Sequence, residues 1–215
     1  MMDEGQDYID MFIVFEGIDG AGKTTQINLL ADRLRALGLD PYVTAEPTGM
    51  PTGRDIRRVL SGELQKTPTQ VAAMFVQDRI DHNVDPEHGI EGKLAAGKAV
   101  ICDRYYYSSL AYQGSLTDFD WVMAANCTCP EIRSPDLCIF LDLSPEESMK
   151  RITKGRTSTE IYEKAETLAK FRARYLDVFE KLRARGEKIE IIDASGTIEQ
   201  GAEKIAAVIE KHFGI

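Results

Sequence analysis

The chain has 215 residues, of which 43% are hydrophobic, and its formal net charge is −9. This length and composition are typical of one domain with an ordinary buried core. The negative charge argues against a nucleic-acid polymer as the partner, because binding a phosphate backbone requires a basic face. No apolar run approaches the roughly 20 residues that cross a bilayer, so we expect no membrane partner.

Residues 1–10, MMDEGQDYID, form an acidic N-terminal extension before the first apolar run. They lack the positive leader and the apolar stretch of a secretory signal peptide. We therefore expect a cytoplasmic protein whose single domain occupies residues 11–215.

The first predicted strand covers residues 11–15 and is followed by GIDGAGKT and a helical pattern over 22–37. This order matches the phosphate loop G-x-x-x-x-G-K-[ST] between a strand and a helix. Its backbone N–H groups and the positive end of the helix are expected to bind polyphosphate. Lys23 would reach the β- and γ-phosphates, and the Thr24 hydroxyl would bind magnesium. The predicted loop residues are Gly17, Ile18, Asp19, Gly20, Ala21, Gly22, Lys23, Thr24 and Thr25.

Short apolar runs and helical patterns alternate along the rest of the chain. The apolar runs predict strands over 41–45, 99–102, 137–141 and 188–192. The helical patterns cover 53–60, 69–96, 105–112, 118–126, 145–153, 160–185 and 197–212. This alternation predicts an open α/β sheet of five parallel strands with helices on both faces. Ligands of such sheets lie beyond the carboxyl ends of the strands.

Two pairs of residues follow predicted strands and therefore belong to this ligand-binding edge. Glu46-Pro47 follows the second strand, and Asp103-Arg104 follows the third. The Asp103 carboxylate could hold a metal ion directly or through water, and the planar fork of Arg104 suits phosphate oxygens. An ordinary surface ion pair at a strand end is the alternative.

A long helix and a tyrosine-rich segment carry further candidates. Phe75 and Arg79 share a helix face at i and i+4, which would suit a base and its phosphate. Core packing for Phe75 and a surface ion pair for Arg79 are the alternatives. Downstream, Ser109, Tyr112 and Gln113 lie within about one helical turn and could bind a base edge or a sugar. Some tyrosines of this segment are expected to serve packing alone.

The segment TKGRTST, residues 153–159, is a basic, glycine-containing break between two helices. With Arg151, Lys154 and Arg156 it concentrates positive charge in an acidic chain. A lid over about 153–160 could close on phosphates and supply charge to a transition state. A solvated loop is the alternative.

The cysteines and histidines show no metal-binding or nucleophile pattern. Cys102 and Cys138 lie in apolar runs and are expected to be small core residues. Cys127 and Cys129 have neither a second cysteine pair nor a nearby histidine to support zinc. The histidines, His82, His88 and His212, are expected to be solvated helix residues.

Taken together, these residues resemble the thymidylate kinase family from about residue 12 to residue 213. The matching segments are FEGIDGAGKTTQ, TAEPTGMPTGRDIR, MFVQDR, DRYYYSSLAYQG and PDLCIFLDLSPEE. The resemblance implies a P-loop nucleoside monophosphate kinase fold, magnesium as the cofactor, and a homodimer. The implied reaction transfers a phosphoryl group from ATP to dTMP, and the phosphate loop then binds the ATP.

The resemblance also implies roles for individual residues. Phe75 would stack on thymine, with Arg79, Ser109 and Gln113 contacting or supporting the base. Arg57 and Arg104 would approach the acceptor nucleotide and its phosphate. Asp19 would bind the 3′-hydroxyl, and Tyr112 would crowd the place of a 2′-hydroxyl. Glu46 and Asp103 would organise the metal and its water, and Pro47 and Ser108 complete the predicted dTMP site.

Two departures from the family pattern bear on catalysis. Gly20 stands where one subclass has a catalytic arginine, so the chain resembles the subclass with that arginine in the lid. Arg156 is then the first candidate and Arg151 the second. Ala45 stands where many relatives have an arginine. Another nucleotide or deoxynucleoside kinase, and a non-catalytic P-loop switch, are the competing interpretations.

Overall fold

The computed structural model describes residues 10–152 and 158–215, and for residues 158–164 it describes the backbone alone. The predicted catalytic Arg156 and most of the acidic extension therefore lie outside the described residues. The strands are β1 (Phe12–Glu16), β2 (Asp40–Ala45), β3 (Lys98–Asp103), β4 (Leu137–Asp142) and β5 (Ile189–Asp193). The helices are α1 (Lys23–Ala36), α2 (Pro51–Leu60), α3 (Pro68–Val84), α4 (Ile90–Ala95), α5 (Tyr106–Tyr112), α6 (Phe119–Cys127), α7 (Pro145–Ile152), α8 (Ser158–Arg183) and α9 (Ile198–Phe213). A short 3₁₀ turn, Gln113–Ser115, follows α5.

The five strands form one parallel sheet in the order β2-β3-β1-β4-β5. β1 lies at its centre, where Ile13 pairs with Ile101 on one side and Leu137 on the other. Every residue of β1 is buried, which explains why its first four residues are all apolar; its last residue, Glu16, is a buried carboxylate. The predicted α/β class with a parallel sheet is confirmed.

Alternate residues of β1 enter two separate cores. Phe12 and Val14 face a core that includes the tyrosines of α5 and the aromatic face of α8. Ile13 and Phe15 face a second core formed with α1 and α9. Helices therefore cover both faces of the sheet, as the unbroken apolar strands require.

The single helix predicted over residues 69–96 is wrong. α3 ends at Val84, and α4 begins at Ile90. Pro86 disfavours helical geometry at Asp85, which is extended at φ −60° and ψ 121°. The Asp85 carboxylate then accepts hydrogen bonds from the backbone N–H groups of Glu87 and His88. A proline and a turn-forming aspartate thus interrupt a pattern that otherwise looks helical.

Cys102 and Cys138 are completely buried, which confirms that they are core residues. All four cysteines are free thiols. In the part of the chain that the structure describes, no helix is long and apolar enough to cross a membrane.

The carboxyl ends of the parallel strands meet at one edge of the sheet. The phosphate loop leaves β1 at this edge, Glu46 follows β2, and Arg104 follows β3. Ala194 follows β5 at the same edge. The fold therefore brings the predicted motifs together although they are separated by up to about 100 residues in the sequence.

Candidate active site

The phosphate loop turns sharply between β1 and α1. Gly20 and Gly22 have φ values of 80° and 94°, a region that L-residues with side chains rarely adopt. A Cβ atom at Gly20 would also lie 3.0 Å from the Ser148 carbonyl oxygen. The loop therefore requires glycine for its backbone conformation and for its close contact with α7.

Helix α7 supports the loop through two polar contacts. The buried Ser148 hydroxyl donates to the Asp19 carbonyl. Arg151 donates from Nη2 to the Ala194 carbonyl at 2.8 Å, and its Nη1 lies 3.5 Å from the Gly20 carbonyl oxygen. The structure thus places Arg151 between the loop and the end of β5.

Lys23 begins α1 and lies inside the loop, with a side chain that is 10% exposed. Its Nζ is 3.4 Å from the Gly17 carbonyl oxygen and 3.9 Å from Asp103 Oδ1. Burial, followed by the positive charge of Arg104, lowers the pKa of Lys23. The ammonium has few partners in the described protein, so it is available to an anionic ligand in the loop.

Thr24 and Asp103 have the chemistry of a divalent-cation site. Thr24 is exposed at the start of α1. The buried Oδ1 atom of Asp103 accepts no hydrogen bond from the described residues. Hydroxyl and carboxylate oxygens are ligands that Mg²⁺ prefers, so these residues fit the ion. No group of three or more acidic, histidine or cysteine residues placed to hold a metal occurs in the described ranges.

The phosphate loop itself encloses a pocket, and a second cavity, of about 430 Å³, opens next to it. Asp19 lines both the loop pocket and this cavity. Nine of the predicted acceptor-site residues line it: Asp19, Glu46, Pro47, Phe75, Arg79, Arg104, Ser108, Tyr112 and Gln113. The two that do not are Arg57 and Ser109.

Phe75 is half-buried and lines the cavity from α3. Core packing was the alternative for this residue, but Phe75 is absent from the buried core and lines the cavity. Leu60, Leu116, Tyr105 and Phe171 also line the cavity, and none of them was among the predicted site residues. Leu60 and Leu116 are more than 60% exposed, which is unusual for leucine and places apolar surface at the cavity mouth.

Arg79 forms a buried ion pair in the cavity wall rather than a surface pair. It is 1% exposed, and its Nε and Nη2 atoms donate to Glu46 Oε2 at 2.9 and 2.5 Å. Nη2 also donates to Ser109 Oγ at 3.2 Å, so Ser109 acts behind the cavity through Arg79. The ring of Tyr105 lies 5.0 Å from the guanidinium carbon and adds a cation–π contact.

The expectation that His82 is solvated is wrong. His82 is 2% exposed, and its Nδ1 lies 3.0 Å from Glu46 Oε1. Its Nε2 lies 2.8 Å from the Thr44 hydroxyl. Arg79 and His82 are three residues apart on α3, so they share a face and bind the same carboxylate. Both Glu46 oxygens are therefore engaged by protein groups.

Arg104 is held in an unusual backbone conformation. Its φ of 69° is the only positive value of a residue other than glycine in the described chain. Its N–H donates to the Phe15 carbonyl at 2.9 Å, and its own carbonyl accepts from the Cys102 thiol at 3.0 Å. Left-handed geometry costs an L-residue about 1–2 kcal/mol. The surrounding contacts hold it there, with Nη2 donating to Asp19 at 2.8 Å.

Arg57 lies on α2, outside the cavity wall. Its Nη1 donates to the Thr48 carbonyl at 2.5 Å, and its Nη2 donates to the Pro47 carbonyl. The Thr48 backbone and hydroxyl in turn donate to Asp78 at 2.8 and 2.6 Å. In this arrangement Arg57 stabilises the loop that carries Pro47.

A third cavity, of about 310 Å³, lies on the other side of the phosphate loop. Its wall includes the loop, Arg151 and the turn after β5: Gly20, Ala21, Gly22, Thr25, Arg151, Ala194, Gly196 and Thr197. Arg151 was predicted for the lid, and the turn after β5 was not singled out. Its position beyond a strand end was the signal that could have identified it.

This sheet order, with a phosphate loop after the central strand and an acceptor-like cavity beside it, defines a P-loop nucleoside monophosphate kinase fold. The family model described as "Thymidylate kinase" matches residues 15–205. The chain therefore belongs to the thymidylate kinase family.

Individual relatives match this chain over most of its length. A probable thymidylate kinase of Pyrococcus horikoshii is 38% identical over 205 residues, covering 93% of this chain and 95% of that protein. A probable thymidylate kinase of Thermococcus kodakarensis is 39% identical and covers 95% and 99%. A thymidylate kinase of Desulfotalea psychrophila is 41% identical over 160 residues, covering 74% and 76%.

Proposed function

We propose that this chain transfers the γ-phosphoryl group of ATP to dTMP, forming ADP and dTDP. One observation carries the proposal: a polyphosphate loop and an apolar cavity with two arginines meet at Asp19. The Arg104 guanidinium donates to Asp19 and is 21% exposed, so it can also bind an acceptor phosphate at this junction. Family membership supports the choice of thymidylate as the acceptor.

Transfer in this site requires no covalent enzyme intermediate. The loop N–H groups and Lys23 hold the donor phosphates, and Arg104 holds the acceptor phosphate close to them. Placing two reactants in line and neutralising their charge supplies most of the catalysis of phosphoryl transfer. Lys23 contributes a fixed positive charge in a largely dry site, where electrostatic interactions are stronger than in water.

Thr24 and Asp103 would hold a Mg²⁺ ion in this proposal. When bound, the ion supplies positive charge to the donor phosphates. Asp103 Oδ1 also lies 3.9 Å from Lys23 Nζ, so the ammonium and an ion held by the carboxylate would both neutralise charge on the donor phosphates.

Three features of the proposal are expectations from the sequence: the lid over about 153–160, the single domain from residue 11 and the cytoplasmic location. The homodimer and Arg156 as the catalytic arginine of the lid rest on the family resemblance. Arg151 is a weaker candidate for catalysis than Arg156, because its guanidinium already donates a hydrogen bond to the Ala194 carbonyl.

A panel of acceptors tests the proposed function. We expect dTMP to be the best substrate, because a pyrimidine can stack on Phe75 within apolar walls. We expect dUMP to be weaker by about tenfold, the usual contribution of one methyl group in an apolar pocket. Purine monophosphates should be nearly inert. ADP release coupled to a spectrophotometric signal measures kcat/KM for each acceptor.

The same panel separates the competing functions. Turnover of dGMP or dAMP comparable to that of dTMP would contradict the acceptor assignment. A deoxynucleoside kinase would instead phosphorylate thymidine, and a nucleotide switch would release ADP at a rate that no acceptor changes.

Tyr112 is proposed to select deoxyribose. Its ring lies 5.7 Å from the Arg104 guanidinium carbon, so a sugar whose phosphate binds Arg104 would approach this ring. A crowded, unpaired 2′-hydroxyl costs about 1–3 kcal/mol, or roughly tenfold to a hundredfold in acceptance. We expect Tyr112→Ala to raise the relative kcat/KM of ribo-TMP over dTMP by about that factor.

Tyr112→Phe is the matched control and should keep most of the selection, since it retains the ring. The ring also contacts Phe171, with centroids 4.1 Å apart, so Tyr112 has a packing role as well. Equal loss of activity with dTMP and ribo-TMP in Tyr112→Ala would show that packing is its main role.

A further inference from the structure

A buried carboxylate lies beneath the junction of the two nucleotide sites. Glu16, the last residue of β1, has no exposed surface. Oε1 accepts from the backbone N–H groups of Tyr105 and Ser108 at 2.9 and 3.1 Å. Oε2 accepts from the Ser108 and Tyr175 hydroxyls at 2.8 and 2.9 Å. Burial raises the pKa of Glu16, although Arg104 and these hydrogen bonds oppose the rise.

The Tyr175 hydroxyl connects this carboxylate to Arg104. Arg104 Nη1 donates to the Tyr175 oxygen at 3.1 Å and to Ser108 Oγ at 3.2 Å. The hydroxyl therefore accepts from the guanidinium and donates to Glu16. Arg104 is consequently held on one side by this pair of hydroxyls and on the other by Asp19.

The hydroxyl and the ring of Tyr175 have separable roles. The ring packs against Phe140 and Phe179, with centroids 5.1 and 5.8 Å apart. A phenylalanine would keep these contacts and lose only the three polar ones of the hydroxyl, with Arg104, Glu16 and Ser108. An arginine fixed before the ligand arrives loses less side-chain entropy on binding, which raises affinity.

We propose that Tyr175 is a positioning residue for Arg104. The Tyr175 hydroxyl, anchored by Glu16, orients the Arg104 guanidinium towards the acceptor phosphate. This inference rests on the proposed function, because it takes Arg104 as the group that binds that phosphate. It adds a residue of α8, 71 positions beyond Arg104, to the acceptor site.

The test compares binding of dTMP and thymidine, which differ only in the phosphate. Calorimetry without ATP gives both dissociation constants for the wild type and Tyr175→Phe. We expect dTMP to bind about tenfold more weakly to the variant, equivalent to about 1.4 kcal/mol. Thymidine should bind with the same affinity to both proteins. An unchanged ratio of the two constants would overturn the proposal.

Tyr107→Phe is a matched control. Tyr107 is also buried in the aromatic core and donates to a glutamate, Glu187, at 2.6 Å. Its hydroxyl contacts Glu187 and Tyr106 rather than Arg104, so the dTMP-to-thymidine ratio should stay at the wild-type value. A loss equal to that of Tyr175→Phe would show that a weakened core is the cause and would overturn the proposal.

Arg104→Gln separates this inference from the proposed function. It should largely remove the preference for dTMP over thymidine. If the preference is unchanged, the role of Arg104 is wrong, and the role of Tyr175 falls with it. If the preference falls in Arg104→Gln but not in Tyr175→Phe, only the inference about Tyr175 is wrong.

A double variant tests whether Tyr175 acts through Arg104. Arg104→Gln/Tyr175→Phe should bind dTMP as weakly as Arg104→Gln alone, whereas additive losses would overturn the proposal. If Tyr175→Phe does not fold, Glu16→Gln/Tyr175→Phe is compared with Glu16→Gln. The neutral glutamine amide removes the buried Glu16 charge that Tyr175→Phe would leave with one hydrogen bond fewer. The glutamine carbonyl oxygen can still accept from the Tyr175 hydroxyl, so a loss of dTMP affinity is again expected, and equal affinities would overturn the proposal.

Discussion

Replacing Lys23 by alanine should lower kcat by at least about 10²–10³-fold, the usual effect of removing one preorganised electrostatic group. The fold should be unaffected, because the Lys23 side chain contacts polar atoms of the loop and lies outside the apolar cores. Steady-state kinetics measures the loss, and circular dichroism and thermal unfolding check the structure.

Lys98→Ala provides the control for the loss of a lysine. Lys98 begins β3 at the opposite end of the strand and pairs with Asp40. Its replacement should leave kcat within about twofold, because an exposed ion pair contributes only about 0–1 kcal/mol. Normal turnover by Lys23→Ala would mean that the phosphate loop is not the donor site.

Replacing Arg79 by methionine should lower the free energy of unfolding by about 3–5 kcal/mol, because Glu46 would remain as a buried charge without its cation. The same change removes an arginine from the acceptor cavity, so dTMP binding should also weaken. Urea denaturation at constant pH gives the free energy, and the m-value shows whether the transition stays two-state.

Two variants isolate the cause of this destabilisation. Glu46→Gln/Arg79→Met removes both charges and should be more stable than Arg79→Met alone. Arg58→Met breaks an exposed pair with Asp55 and Glu63, and its effect should be within about 1 kcal/mol. If the double variant is the less stable one, the buried charge is not the source of the loss.

The strands and the phosphate loop could be predicted because their signals are local. Each predicted strand overlaps its observed strand. The inner strands β1, β3 and β4 are buried almost throughout and are therefore mainly apolar, whereas the edge strands β2 and β5 are only partly buried. The conformation of the phosphate loop can be predicted from its motif, because the glycines and the lysine occur at fixed spacing. The long helix was mispredicted because its periodicity continues through a proline-containing turn, and the signal of Pro86 was not given enough weight.

The supporting residues of the site could not be predicted because their contacts join distant parts of the chain. Glu16 and Tyr175 are separated by 159 positions, and no sequence motif indicates that their side chains form a hydrogen bond. His82 looks like any polar residue on a helix until α3 is packed over the end of β2. Phe171 has only a helical spacing, which is equally consistent with a core residue. Such side chains are identified when the fold brings them together.

The left-handed backbone of Arg104 links the stability of the fold and the proposed activity at a single residue. Glycine adopts this φ without steric cost, so replacement there would relieve conformational strain while removing the guanidinium. The same replacement removes the cation that lies 4.0 Å from the buried Glu16 carboxylate, so the relief of strain is set against the cost of leaving that charge without its partner. Directed evolution of this protein for stability therefore needs an activity screen at the same time, because Arg104, the one non-glycine residue with a positive φ in the described chain, is also the proposed ligand of the acceptor phosphate.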